Sequence, residues 1–126
     1  MIDLNANKAV ASAFLDAITA GDISTCAALL APDATWWVQG WGEMPGSAFL
    51  PSLEQTITRS ASRSITIDTI TAEDNRVAVQ AHGAFVFPEG VYANSYHYLF
   101  IISGGRITAG FEYLDTMVAA RFFAPA

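Results

Sequence analysis

Val91-Tyr92-Ala93-Asn94-Ser95-Tyr96-His97-Tyr98-Leu99-Phe100-Ile101-Ile102 runs into Ser103-Gly104-Gly105-Arg106 and then Ile107-Thr108-Ala109-Gly110-Phe111-Glu112-Tyr113-Leu114. Two runs rich in aromatic and β-branched residues around a Ser-Gly-Gly turn form the strongest hairpin signal in the chain. With a side-chain period of two, Asn94, Tyr96, Tyr98 and Phe100 share one face of the first strand, and Gly110, Glu112 and Leu114 share one face of the second. The turn decides which faces meet. A three-residue loop with Gly105 in a left-handed bulge position pairs Ile102 with Arg106 and sets Tyr96 opposite Glu112. A two-residue Gly104-Gly105 turn shifts the faces and brings His97 to Glu112 instead.

Working back from this hairpin, Pro88-Glu89-Gly90 is a second turn, Val77 to Phe87 a long β-prone run, Asp74-Asn75 a third turn, and Ser64-Ile65-Thr66-Ile67-Asp68 alternates cleanly. A count across Pro88-Glu89-Gly90 sets His82 beside Tyr96. Before Ser64 the period is helical. Leu50, Leu53 and Ile57 give the apolar face of a helix starting near Pro51, and Ala34-Thr35-Trp36-Trp37-Val38 is a short β-prone run closed by Gly40 and Gly42. Asp22 or Ser24 caps a short helix through Leu30, ended by Pro32, and Val10, Phe14 and Ile18 mark a first helix stopped at Gly21. Downstream, Asp115 and Thr116 read as a strand-to-helix cap, with a last helical turn over Thr116 to Phe123. Three helices followed by long strands predict an α+β fold with helices on one face of a curved antiparallel sheet, in a single domain over residues 1–126.

Composition says where such a chain puts its apolar surface. Of 126 residues, 52% are hydrophobic and 14% charged, well under the roughly 25% charged usual for soluble domains. The surplus should line a cavity, cover a subunit interface, or do both. A net charge of −6 with six Lys+Arg leaves no basic stripe for nucleic acid. The longest uncharged stretch, Gly90 to Gly105, is broken by Asn94, Ser95, His97 and glycines, so no membrane span is expected. Met1-Ile2-Asp3-Leu4-Asn5 lacks the basic start and apolar run of a secretory signal, and the single Cys26 allows no internal disulfide, so a cytoplasmic location is expected. Cys26, in an apolar run, reads as a packing thiol. No Gly-rich phosphate loop, metal-type His/Cys spacing or Gly-x-Ser-x-Gly elbow occurs, so no cofactor or metal is expected. Arg59, Arg63, Arg76, Arg106 and Arg121 are spread apart, with no evident clamp for an anion.

Ala20-Gly21-Asp22, Leu30-Ala31-Pro32-Asp33-Ala34-Thr35, Asn94-Ser95-Tyr96-His97-Tyr98, and Gly105-Arg106-Ile107 leading to Glu112-Tyr113-Leu114-Asp115-Thr116 together resemble the SnoaL-like branch of the nuclear transport factor 2-like superfamily. The resemblance covers nearly the whole chain. It implies a cone-shaped fold in which three N-terminal helices and a curved mixed sheet enclose a hydrophobic cavity, in a superfamily that includes ketosteroid isomerases, limonene epoxide hydrolases, scytalone dehydratase and polyketide cyclases. It also favours the three-residue hairpin. Phe14 stands where ketosteroid isomerase carries a catalytic tyrosine, Val38 near its general-base aspartate, and Tyr98 at or beside its carbonyl-polarising acid. Against limonene epoxide hydrolases, Gln80 and His82 replace an Arg-x-Asp pair, Glu112 matches the second aspartate, and Trp36 and Val38 fall at the water-holding Tyr and Asn. The resemblance therefore implies neither of those two reactions by its known mechanism.

The favoured register forms a row His82, Tyr96, Glu112, flanked by Asn94 and Gln80. Desolvation raises a glutamate pKa and lowers that of a histidine, bringing both toward neutrality. His82, Glu112 and Tyr96 are thus the catalytic candidates, and Asn94, Trp36, Tyr98, Gln80, Phe14 and Val38 the substrate-binding ones. The leading expectation is a cofactor-independent acid/base enzyme acting on a small hydrophobic molecule by isomerisation, cyclisation, dehydration or ring opening. The alternative is a non-catalytic small-molecule-binding or dimerising module of the same fold. A homodimer is expected because Val77, Val79, Leu99, Ile101, Phe111 and Tyr113 fall on the strand face away from the cone.

Overall fold

The hairpin at Ser103–Arg106 closes on a two-residue Gly104-Gly105 turn, both glycines at positive φ (60° and 78°). This corrects the three-residue loop. The expected faces nevertheless survive, because Ile102 pairs with Ile107 and Ile101 with Ala109, leaving Thr108 as an extra residue whose hydroxyl donates to the Ile101 carbonyl (3.2 Å). That bulge returns the phase that the shorter turn removes. Tyr98 stands opposite Glu112, and Tyr96 opposite Leu114.

The computed structural model describes residues 2–124. Along the chain lie α1 (Leu4–Ala20), α2 (Ile23–Leu29), β1 (Leu30–Val38), β2 (Gly42–Pro45), α3 (Gly46–Arg59), β3 (Ser62–Glu73), β4 (Arg76–Phe87), β5 (Gly90–Ser103), β6 (Arg106–Leu114) and α4 (Thr116–Ala119). One curved, unclosed sheet has the order β2-β1-β6-β5-β4-β3, antiparallel except where β1 runs parallel to β6. The α+β reading holds, with three local corrections. α3 starts at Gly46, not near Pro51, which sits inside the helix. The short edge strand β2, unforeseen in the sequence, pairs with the end of β1. Pro32 lies within β1, after α2 has ended at Leu29.

Local chemistry accounts for the helix ends. The Asp3 side chain accepts from the Ala6 N–H (3.0 Å) at the start of α1, and Gly21 caps its end in the left-handed region. Asp22 caps α2, and Asp115 accepts from the Met117 and Val118 N–H groups at α4. Arg63, half-buried on β3, donates from Nε to the Ile18 carbonyl (3.2 Å) and from Nη1 to the Ile57 carbonyl (3.2 Å) and Ser60 Oγ (2.8 Å). One cation thus joins the carbonyl ends of α1 and α3, where the helix dipoles favour it. Inward-facing Phe14, Leu15, Val77, Val79, Phe100 and Ile102 form the tightly buried centre. Cys26 is buried with them, and burial pushes its thiol up to about 11. Among the described residues no helix is long and apolar enough to cross a membrane.

β4 departs from expectation in a way that moves several residues. Phe87 pairs with Gly90, so the connection is the two residues Pro88-Glu89 and not three. A one-residue change in a hairpin flips every side chain to the other face. Ala81 therefore pairs with Tyr96, while His82 and Gln80 turn outward. Val77 and Val79, expected on the outer face, are fully buried in the core instead. We predict that Arg63→Met lowers the free energy of unfolding by about 2 kcal/mol in chemical denaturation, since several carbonyls lose a charged donor. An unchanged midpoint would show that water serves those carbonyls as well.

Candidate functional site

Trp36 of β1 lies beside Gly110 of β6, and Val38 beside Glu112. All four belong to the concave face. Any side chain at position 110 would collide with the Trp36 ring, so the glycine lets the indole lie flat across β6. Phe49 from α3 stacks on the indole at 4.3 Å between centroids and 13° between planes, and Phe14 and Phe100 close its edges at 5.4 and 5.9 Å. Held in this way, Trp36 is 1% exposed, and its Nε1 donates to Glu112 Oε1 at 3.0 Å.

Glu112 opens on a pocket of about 420 Å³. Trp36, Val38 and Glu112 line it from β1 and β6, and Tyr92, Tyr96 and Tyr98 from β5; α3 contributes Ser52, Thr56 and Arg59. Trp41, Phe122 and Phe123 complete the lining, with the Trp41 Nε1 donating to the Ala124 carbonyl at 2.7 Å. Glu112 keeps some accessible surface although it lies deep in the molecule, as expected of a carboxyl that faces a cavity. Burial raises its pKa from 4.5 to about 7, and the Trp36 N–H draws it back only in part. Burial also raises the phenols of Tyr92, Tyr96 and Tyr98, so all three stay neutral and able to donate a hydrogen bond.

The structure brings together five of the residues singled out in the sequence: Glu112, Tyr96, Tyr98, Trp36 and Val38 all line this pocket. Trp36 does more than offer a surface for stacking, because its N–H is spent on Glu112. His82 is not part of the group. It lies exposed on the convex face with Nδ1 2.9 Å from Asp68 Oδ2, so the expected His82–Glu112 pair does not form. Gln80 accompanies it and accepts from the Thr69 hydroxyl at 3.3 Å. Asn94 is buried, but its amide donates to the Asp115 carbonyl (3.1 Å) and Tyr92 hydroxyl (2.9 Å), and its oxygen accepts from the Asp115 N–H (3.1 Å). It ties β5 to the start of α4 and does not line the pocket. Phe14 sits behind Trp36 in the core. Tyr92, Arg59, Trp41, Phe122 and Phe123 were missed. Tyr92 shares the phase of Tyr96, and Arg59 follows Ser52 and Thr56 at helical spacing, so both carried a readable signal. Nothing local distinguishes Trp41 or the two C-terminal phenylalanines.

A family model described as a SnoaL-like domain matches residues 11–110. An LEH-like epoxide hydrolase from M. tuberculosis superposes with a TM-score of 0.83 at 21% identity, covering 94% of this chain and 89% of that one. An NTF2-like protein from Burkholderia xenovorans reaches 0.76 at 22% identity, covering 96% and 98%. The BvnE pinacolase from Penicillium brevicompactum reaches 0.85 at 8% identity, covering 94% and 88%. At these identities the likeness is one of fold. No curated protein matches the chain significantly.

The raised carboxyl carries a consequence for stability. Between pH 4.5 and about 7 the folded protein keeps a proton on Glu112 that the unfolded chain has released, so stability falls as pH rises through that window. The penalty is absent below the window and complete above it, at about 3 kcal/mol. We predict that Glu112→Gln, which still accepts from Trp36, gains roughly this much over wild type at pH 8 and almost nothing at pH 4.5. Parallel denaturation curves for the two proteins from pH 5 to 8 would contradict it.

Proposed function

Because the chain belongs to the SnoaL-like domain family, we propose that it is an acid/base enzyme acting, without a cofactor, on a small hydrophobic molecule held in its pocket. The observation that carries this reading is a carboxyl tuned to about 7 and facing a pocket rich in aromatic side chains. At neutral pH such a group is populated in both protonation states, so it can take a proton from carbon and return one to oxygen. Oε1 is committed to the Trp36 N–H, while Oε2 has no hydrogen bond from a described residue and is the oxygen left for proton exchange. Tyr96 and Tyr98, kept as neutral phenols, supply hydrogen-bond donors for a developing enolate or alkoxide. Isomerisation, cyclisation, dehydration and ring opening all fit this set. An LEH-like epoxide hydrolase and a pinacolase among proteins of the same fold support the reading of the chain as an enzyme.

A panel of epoxides, enones and polyketide-like esters tests the reading. For a substrate that wild type turns over, Glu112→Gln should lower kcat by about 10²–10⁴-fold with binding retained. Trp36→Phe removes the bond that holds the carboxyl pKa down, and should move the rising limb of the pH–rate profile upward. Tight binding across the panel without turnover would favour a non-catalytic ligand-binding module.

The convex face supports a homodimer. Leu99, Ile101 and Phe111 are half-buried there, Tyr113 is 43% exposed, and the Trp37 ring stands 4.8 Å from that of Tyr113. A second copy covering this face would remove the patch from water. Sedimentation should find a dimer at micromolar concentration that Ile101→Glu converts to monomer, and a wild-type monomer would refute the assembly.

A further inference from the structure

The pocket differs in chemistry from one wall to the next. β5 contributes tyrosines, whereas α3 contributes the polar row Ser52, Gln55, Thr56 and Arg59 at helical spacing. Arg59, the last residue of α3, is the one Lys or Arg among the described residues that line the pocket. Its guanidinium carbon stands 4.4 Å from the centroid of the Phe87 ring, and its Nη2 donates to Glu89 Oε2 at 2.6 Å. The pair is exposed, at 40% and 50% of the two side chains. An exposed pair of this kind is weak and readily exchanged. Arg59 has no other acceptor among the described residues, so most of its N–H groups are unspent.

We propose that Arg59 binds the carboxylate of an amphiphilic substrate, an aryl or alicyclic carboxylic acid whose apolar body lies against the tyrosines. The proposal rests on the reading of this pocket as the substrate site. Glu89 is then an internal stand-in: its carboxylate holds the guanidinium until the substrate's carboxylate takes its place. The Phe87 ring beneath the guanidinium limits its orientations, which favours the two-pronged contact that a planar fork makes with a carboxylate. A net charge of −6 would otherwise repel an acid from the chain, so one cation at the pocket sets which small molecules are admitted.

Calorimetric titration with 2-naphthoate and its neutral isostere 2-naphthamide tests this on the intact protein. Wild type should prefer the acid by about tenfold or more. Arg59→Met, which removes the charge and its donors, should abolish that preference by weakening acid binding more than amide binding. Glu89→Gln, which removes the competitor, should strengthen acid binding. Equal affinity for acid and amide in wild type, or a preference that survives in Arg59→Met, overturns the assignment while leaving the pocket reading intact. Binding of neither compound defeats both.

Discussion

The hydrogen bond from Trp36 to Glu112 is the contact on which the interior is organised. A carboxyl so deep in an apolar fold is costly unless something donates to it, and the indole N–H is the donor available at 3.0 Å. That donor is in place because three other features agree. Gly110 vacates the space under the ring, Phe49 of α3 covers its other side, and the parallel register of β1 on β6 sets Trp36 beside Gly110 and Val38 beside Glu112. Helix, two strands and one glycine thus converge on the orientation of a single side chain. The free oxygen of Glu112 inherits that orientation, which gives the pocket a carboxyl oxygen of defined position.

Turns and bulges determine which residues share the pocket with it. The Gly104-Gly105 turn alone would have turned Glu112 away from Tyr98, and the extra residue Thr108 restores the phase. At Pro88-Glu89 the turn is shorter by one than a count from sequence suggests, with no compensating bulge on β4 or β5. His82 is left on the convex side in consequence. There it meets Asp68, itself the extra residue of a bulge in β3. The two histidine-carboxylate arrangements, one expected and one observed, are separated by the thickness of the sheet.

Much of this was legible in the residues, and some errors were avoidable. The β5 and β6 faces were read correctly because their alternation is strong: Tyr92, Tyr96, Tyr98 and Phe100 are buried in phase, with Gly110 and Glu112 on the same side. β4 carried a similar signal. Val77, Val79, Ala81, Phe85 and Phe87 share one phase without a polar atom in any side chain, while Gln80 and His82 share the other. Giving that alternation more weight than the turn count would have sent His82 outward. The hydrogen-bond partners of Asn94 and Arg59 were less accessible than their positions, since they lie far along the chain, Asp115 for one and Glu89 for the other.

The sequence by itself determined the fold class, the order of helices and strands apart from the edge strand β2, the helix caps at Gly21 and Asp115, and, by resemblance of its motifs, the family. The elements and caps follow from local periodicity and short-range hydrogen bonding, which neighbouring residues specify. Only the tertiary structure decided that Trp36 is a hydrogen-bond donor to Glu112, that His82 lies outside the pocket, and that Arg59 and the C-terminal phenylalanines line it. The first two depend on strand register, a global property, and the last on how α3 and the residues after α4 pack over the sheet. A single residue gained or lost in a turn changes the face of every residue along a strand while leaving the local pattern untouched.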